Sequence, residues 1–292
     1  MYVSIPPSLD EVLMSTTQEP SARNATSLLK YYSPINITDT YFGNALSIRQ
    51  WAATRAFDAL SRPSDDNLWL EYGVHSYVAN ARYFANKNNI YIPAGITQPP
   101  LYYPSAPSYL RYGSVGIIIG HEITHGFDTN GRLWNNNDQY RNWWDNSSTA
   151  EFNTRAQCFV DQFDGIPLVD YTGKPVLDEA GEQAYVNGTL AITENIADAG
   201  GLSNAWAAWR AREAKEPSQK LPGMDEFTKE QLFFIASGQT WCSKLSAESV
   251  LGITRADVHA PPFARALNVA MNSGAFREAW KCEVKEPGCE LW

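Results

Sequence analysis

Apolar residues recur at close to helical spacing between residues 42 and 60. Leu46, Ile48, Trp51, Ala52, Phe57 and Leu60 share a face, and the polar run Arg62-Pro63-Ser64-Asp65-Asp66 ends the helix that this predicts. Residues 74–84 and 89–92 are short, aromatic and β-branched, and Pro93-Ala94-Gly95 closes them; they predict a strand pair or hairpin. Pro99, Pro100, Pro104 and Pro107 then predict an extended loop, because proline removes a backbone donor and fixes φ. The run from 114 to 125 is apolar nearly all round, which predicts a buried helix. Residues 126–185 are polar and turn-rich, with one helix predicted over 148–159. A long helix is predicted over 189–214, with Leu190, Ile196, Leu202, Trp206 and Trp209 on a broad face and Glu216-Pro217 closing it. Helices over 227–237 and 265–280 complete a mainly helical chain without internal repeats.

Composition narrows the class. The chain has 292 residues, 44% of them hydrophobic and 19% charged, enough to bury a substantial core in one or two domains. A net charge of -9 argues against a nucleic-acid partner, which requires clustered cations. The longest apolar run, 115–119, is far too short to span a bilayer. The first thirty residues lack a basic start followed by an apolar core, so no signal peptide is legible. Four sequons, at Asn24, Asn36, Asn146 and Asn187, would carry glycans only on a secretory route. The 4 cysteines lack paired metal-type spacing and allow three disulfide connectivities, which favours oxidising surroundings.

The chemistry concentrates at His121-Glu122-Ile123-Thr124-His125. On a helix, residues four apart lie on one face, so both imidazoles can reach one metal ion with Glu122 beside its open position. Zinc would lower the pKa of its water and polarise a carbonyl, and Glu122 could pass the water proton to a leaving amine. The plainer alternative is two hydrogen-bonded core histidines; with only 4 His in the chain, that explanation is weak. A hydrolytic site needs a third ligand. One zincin class takes it from a histidine six residues past the second motif histidine, with a glycine midway; those places hold Gly131 and Asp128 here, which excludes that class. Glu194 on another helix is the remaining route, and Asp198 one turn later could fix the tautomer of a ligand histidine. Taken alone, Glu194 and Asp198 read as a solvated acidic pair near a helix start.

Four segments together, HEITHGFD at 121–128, ENIADAGG at 194–201, IPAGITQPP at 92–100 and the closing Cys289-Glu290-Leu291-Trp292, resemble the neprilysin and endothelin-converting enzyme family of zinc metallopeptidases. The resemblance covers nearly the whole chain and corresponds to the C-terminal, metal-bearing portion of that family. It implies an α+β, predominantly helical fold of zincin (thermolysin-like) type with a small sheet edge. Residues 71–292 would form the catalytic domain, and 1–70 a helical remnant continuous with a missing N-terminal half. It further implies one Zn2+ held by His121, His125 and Glu194, with Glu122 as general base and Asp198 as the group orienting a ligand. His259, in the segment 257–261, would hold the oxyanion and Arg265 the substrate backbone. Asn80 and Ala81 would pair with the peptide main chain as a strand edge. Ile96, Leu101, Ile117, Ile118 and Trp241 would line the pocket for the residue after the cleaved bond.

The implied activity is hydrolysis of peptide substrates on the amino side of bulky hydrophobic residues, outside the cell or on the ectodomain of an anchored parent. The alternative is a non-catalytic zinc-stabilised module lacking the rest of the substrate chamber. The resemblance also implies a Cys158–Cys289 disulfide, while Cys242 and Cys282 would join cysteines of the front half. Extra residues near 165–181 and a short 282–289 run depart from the family pattern, and a family-type membrane anchor would lie upstream of Met1.

Overall fold

The structure, a computed structural model, describes residues 2–4, 24–61, 77–137, 139–283 and 288–291. It divides into two units. In the smaller, residues 4–80 with 91–96, helix α1 (Ala25–Tyr32) starts at Asn24, whose side chain accepts from the Thr26 and Ser27 N–H groups. Helix α2 (Tyr41–Ala59) starts at Thr40, which accepts from Gly43 N–H. These caps satisfy donors that a helix start leaves unpaired. The expected helix over 42–60 is α2. Helix α1 was not anticipated, because eight residues give the apolar period too little length to register. Tyr31 meets Trp51 edge-on, and Arg55 lies 4.1 Å from the Tyr31 ring centre.

The larger unit holds a three-stranded sheet, β1 (Tyr2–Ser4), β2 (Arg82–Phe84) and β3 (Asn89–Tyr91), in the order β1-β3-β2. The expected strand pair is present but shorter. Residues 74–76 lie outside the described residues, and 77–81 are irregular. A tight turn over Ala85–Lys87 joins β2 to β3 through Asn88, which takes the left-handed conformation that asparagine tolerates.

The helical path to the metal motif begins earlier than residue 114. Helix α3 (Ser108–Arg111) runs through a π turn (Tyr112–Gly116) into α4 (Ile117–Thr124). Pro107 starts it, where the missing donor is harmless. The Ser114 hydroxyl reaches both Leu110 O (2.7 Å) and Leu101 O (2.6 Å), competition with the backbone that suits a widened turn. Then come α5 (Asn146–Asp164), α6 (Gly188–Lys215) and α7 (Lys229–Thr240), each longer than its apolar pattern because polar ends continue the coil. Helix α8 (Ala247–Ala256) was not expected. The single helix expected over 265–280 is two, α9 (Pro262–Asn272) and α10 (Gly274–Trp280). Ser273 breaks the run and caps α10 through Phe276 N–H.

Two apolar clusters hold these helices. Phe159, Phe163, Leu168, Val176, Ile196 and Val250 form one, so the segment with extra residues feeds the core rather than only the surface. Tyr109, Trp209, Phe233 and Phe234 form the other, where aromatic rings stack and meet edge to face. Cys158 and Cys289 are bonded, as the resemblance implies, tying α5 to the C-terminal segment, while Cys242 and Cys282 are exposed free thiols. Among the described residues, no helix is long and apolar enough to cross a membrane.

Candidate metal centre

Helices α4 and α6 cross at glycine. A Cβ on Gly120 would stand 2.5 Å from Gly201 O, and one on Gly201 would stand 2.6 Å from His121 N. Only hydrogen fits, so the two backbones touch and the histidine helix lies directly against the helix carrying Glu194. The ligand atoms of His121, His125 and Glu194 consequently all lie within 4.8 Å of one another. His121 Nε2 is 3.1 Å and His125 Nε2 3.6 Å from Glu194 Oε2.

Each imidazole is anchored from behind. His121 Nδ1 is 2.9 Å from Asp198 Oδ1, His125 Nδ1 2.6 Å from Asp128 Oδ2, and His259 Nδ1 2.8 Å from Asp257 Oδ1. A carboxylate accepts only, so each Nδ1 carries the proton and, in the neutral ring, each Nε2 presents a lone pair. His259 Nε2 also faces Glu194 Oε2, at 3.1 Å. The buried Oε2 atom, surrounded by three nitrogens, has no hydrogen-bond partner. Three bare nitrogens around an orphaned carboxylate oxygen suit a cation, and two imidazoles with one carboxylate are a zinc donor set.

Electrostatics agree with that fit. For Glu194, burial favours the neutral acid, but His121, His125 and His259 outweigh it and hold the carboxyl far below its usual range. Burial likewise opposes charge on His125, yet Asp128 and Glu194 outweigh it and raise the ring to about 10. His121 is raised by the same balance, with Asp198 and Glu194 overcoming burial. His259 is raised, first by the Glu194 carboxylate that its Nε2 faces. Without a cation the cluster therefore retains protons, and a divalent ion substitutes for them. Glu122 is 5% exposed, and burial raises its pKa even though Tyr83 N–H on β2 bonds it. A carboxyl displaced upward in this way is suited to proton transfer.

Asp198 is held by more than His121. Arg265 Nε donates to its Oδ2 and Nη2 to its Oδ1, both at 2.7 Å, and burial of Asp198 is outweighed so that its pKa falls to about 2. The resemblance gives Arg265 to the substrate backbone; here its fork grips Asp198, and its guanidinium lies 3.9 Å from the Trp241 ring centre. Ile117, Ile118 and Trp241 share one cavity with Asp198 and Arg265. Leu101 lines a separate small pocket, and Ile96 is buried in the smaller unit, so neither joins that cavity. Asn80 is exposed and Ala81 buried; both precede β2, which begins at Arg82.

Sequence reasoning missed Asp128 as an anchor and the contact of His259 with Glu194. The spacing of Asp128, three residues after His125 and followed by Asn130-Gly131, was a legible turn signal.

The profile of peptidase family M13 matches residues 80–289. Human membrane metallo-endopeptidase-like 1 is 38% identical over 270 residues, covering 89% of this chain and 33% of that protein. Human neprilysin is 34% identical over 276 residues, 92% of this chain and 35% of its own length. Among solved structures, the zinc metalloprotease ZMP1 of Mycobacterium tuberculosis in complex with inhibitor aligns with a TM-score of 0.77 at 30% identity, over 86% of this chain and 37% of that one. The chain spans about a third of the length of the curated relatives it matches.

Proposed function

Because the chain belongs to peptidase family M13, we propose that it carries the catalytic centre of a zinc endopeptidase, with residues 71–292 as the catalytic domain. The observation that supports this most is the convergence of His121, His125 and Glu194 donor atoms within 4.8 Å. His121, His125 and Glu194 would hold a zinc ion, which would supply Lewis-acid polarisation of the scissile carbonyl and acidification of water.

The protein's own groups do the rest. Glu122, raised by burial, takes the proton of the attacking water and returns it to the departing amine. The anchor from Asp257 fixes the His259 ring, and its raised pKa favours the doubly protonated form, so that its outward Nε2–H can donate to the negative charge developing on the carbonyl oxygen. Asp198 holds His121, and Arg265 holds Asp198. Strand β2 ends the sheet opposite β1, and its outer edge with Asn80 and Ala81 receives an extended peptide by strand addition. The cavity at Ile117, Ile118 and Trp241 takes a bulky apolar side chain after the cleaved bond. Four sequons and the Cys158–Cys289 disulfide support a reaction on the secretory side of the cell.

The test is metal analysis and peptide turnover on the purified chain. Glu122→Gln is expected to keep stoichiometric zinc while kcat falls at least about a hundredfold. Zinc retained with unchanged turnover overturns the role of Glu122. Zinc bound by the wild-type chain with no cleavage of any peptide favours a zinc-stabilised module instead.

A further inference from the structure

The connection between α1 and α2, residues 33–40, carries the sequon Asn36-Ile37-Thr38. That sequon is pinned to α2 at both ends. Asn36 N–H donates to the Ser47 hydroxyl at 2.8 Å, and the Thr38 N–H and hydroxyl reach Asn44 Oδ1 at 2.6 and 3.1 Å. Asn36 itself is exposed, and among the described residues its side-chain amide has no hydrogen-bond partner. It borders a groove of about 520 Å³ between the two helices, a size within the range of small-molecule sites, about 300–1,000 Å³. Helix α2 lines the groove with two rows of side chains at i, i+4 spacing. Ser47, Trp51 and Arg55 make one row, and Gln50, Thr54 and Asp58 the next. From α1, Tyr31 meets the Trp51 ring edge-on, with 5.2 Å between centres. The side chains of Gln50, Thr54 and Asp58 are exposed and have no hydrogen-bond or ion-pair partner among the described residues. The lining is therefore an aromatic surface beside free amide, hydroxyl and carboxylate groups. A sugar ring has the same two halves, C–H faces that lie on an aromatic ring and hydroxyls that both donate and accept.

We infer that Asn36 carries an N-linked glycan whose core N-acetylglucosamine lies in this groove, with a ring face on Trp51 and its hydroxyls on Gln50, Thr54 and Asp58. The donor is a lipid-pyrophosphate-linked oligosaccharide handled by a membrane transferase. The bond from Asn36 Nδ2 to the sugar C1 forms, the C1–O bond to the pyrophosphate breaks, one Nδ2 proton passes to the transferase's base, and the lipid pyrophosphate leaves. The attachment point fixes the occupant, because a sugar joined at Asn36 starts at the edge of the groove and needs no free ligand to fill it. Apolar surface beside the sequon points the same way. Tyr32, 5.3 Å from the Trp51 ring centre, is 46% exposed, and Ile37, inside the sequon, is 71% exposed. An attached sugar shields such a patch from solvent. This inference rests on the secretory reading above and is independent of peptide cleavage.

The full chain, produced through a eukaryotic secretory route with isotope-labelled sugars, supplies the test. Site-resolved mass spectrometry is expected to find a glycan on Asn36, and NMR to show cross-peaks between the N-acetylglucosamine ring protons and the Trp51 indole, a readout that requires no variant. A peptide N-glycosidase acting on the undenatured chain, with an added glycopeptide of the same sequence as internal standard, measures how well the sugar is seated. Release from Asn36 is expected to be about two- to tenfold faster in Trp51→Leu than in the wild-type chain, the range that one aromatic contact provides. A bare Asn36 beside another occupied sequon overturns the inference and leaves the secretory reading standing. Four bare sequons overturn both. An occupied Asn36 without the indole cross-peaks overturns the seat in the groove, whatever the release rates.

Discussion

Asp128 does two jobs at once. Its Oδ1 accepts from Asn130 and Gly131 N–H at 2.8 and 2.6 Å, closing the turn after α4, while its Oδ2 accepts from the Nδ1–H of His125. Gly131 makes this geometry possible, since a Cβ there would stand 1.7 Å from His125 O. Removing an anchor behind a metal ligand typically lowers affinity about 10- to 100-fold. Asp128→Ala should therefore weaken zinc binding by that factor, measured by competition with a chelator, and an unchanged affinity would show that the turn alone positions His125. The ligand pair His121 and His125 was legible because their spacing lies within one helical turn. Asp128 was legible only as a turn residue, because its role as an anchor depends on the chain reversing immediately after the helix.

The contact between α4 and α6 is the element on which the centre depends. Its glycines are not interchangeable with those of open helix faces. At Gly201 an added Cβ meets His121 N at 2.6 Å and Ile117 O at 2.8 Å, both backbone atoms that cannot swing aside. Gly238, on α7, has nothing within 4 Å. Gly201→Ala should destabilise the fold by about 1–3 kcal/mol through overpacking and weaken zinc binding as Glu194 moves away from His121. Gly238→Ala should be neutral or stabilising by up to about 1 kcal/mol, since alanine loses less backbone freedom. Thermal melts with and without zinc check both, and equal behaviour of the two variants would refute the close-crossing argument. At this scale the apolar period located α2, α4, α5, α6 and α7, but it joined α9 to α10. A serine cap is a side-chain bond that the period does not contain.

Over the whole molecule, the Cys158–Cys289 bond closes a loop with a sequence separation of 131. Of the two metal helices, α4 lies before that loop and α6 within its first half, and the bond fastens α5, which packs on α6, to the C-terminal segment. Closing so long a loop limits the unfolded chain, and losing such a bridge commonly costs about 2–5 kcal/mol. Cys158→Ala should lower the denaturant midpoint accordingly, and dithiothreitol should produce the same loss in the wild-type chain but none in the variant. Equal midpoints for variant and oxidised wild type would contradict a stabilising role. What the sequence by itself determined was local: helix periods, the paired histidines with Glu122 between them, and Glu194 and Asp198 one turn apart. These are set by 3.6 residues per turn. Tertiary structure alone decided that Asp128 anchors His125, that His259 faces the same carboxylate oxygen as the two motif histidines, and that Ile117, Ile118 and Trp241 border one cavity while Leu101 lines another. Such meetings depend on how helices cross and what volume remains between them, and those are properties of packing between segments that no periodicity along one segment encodes.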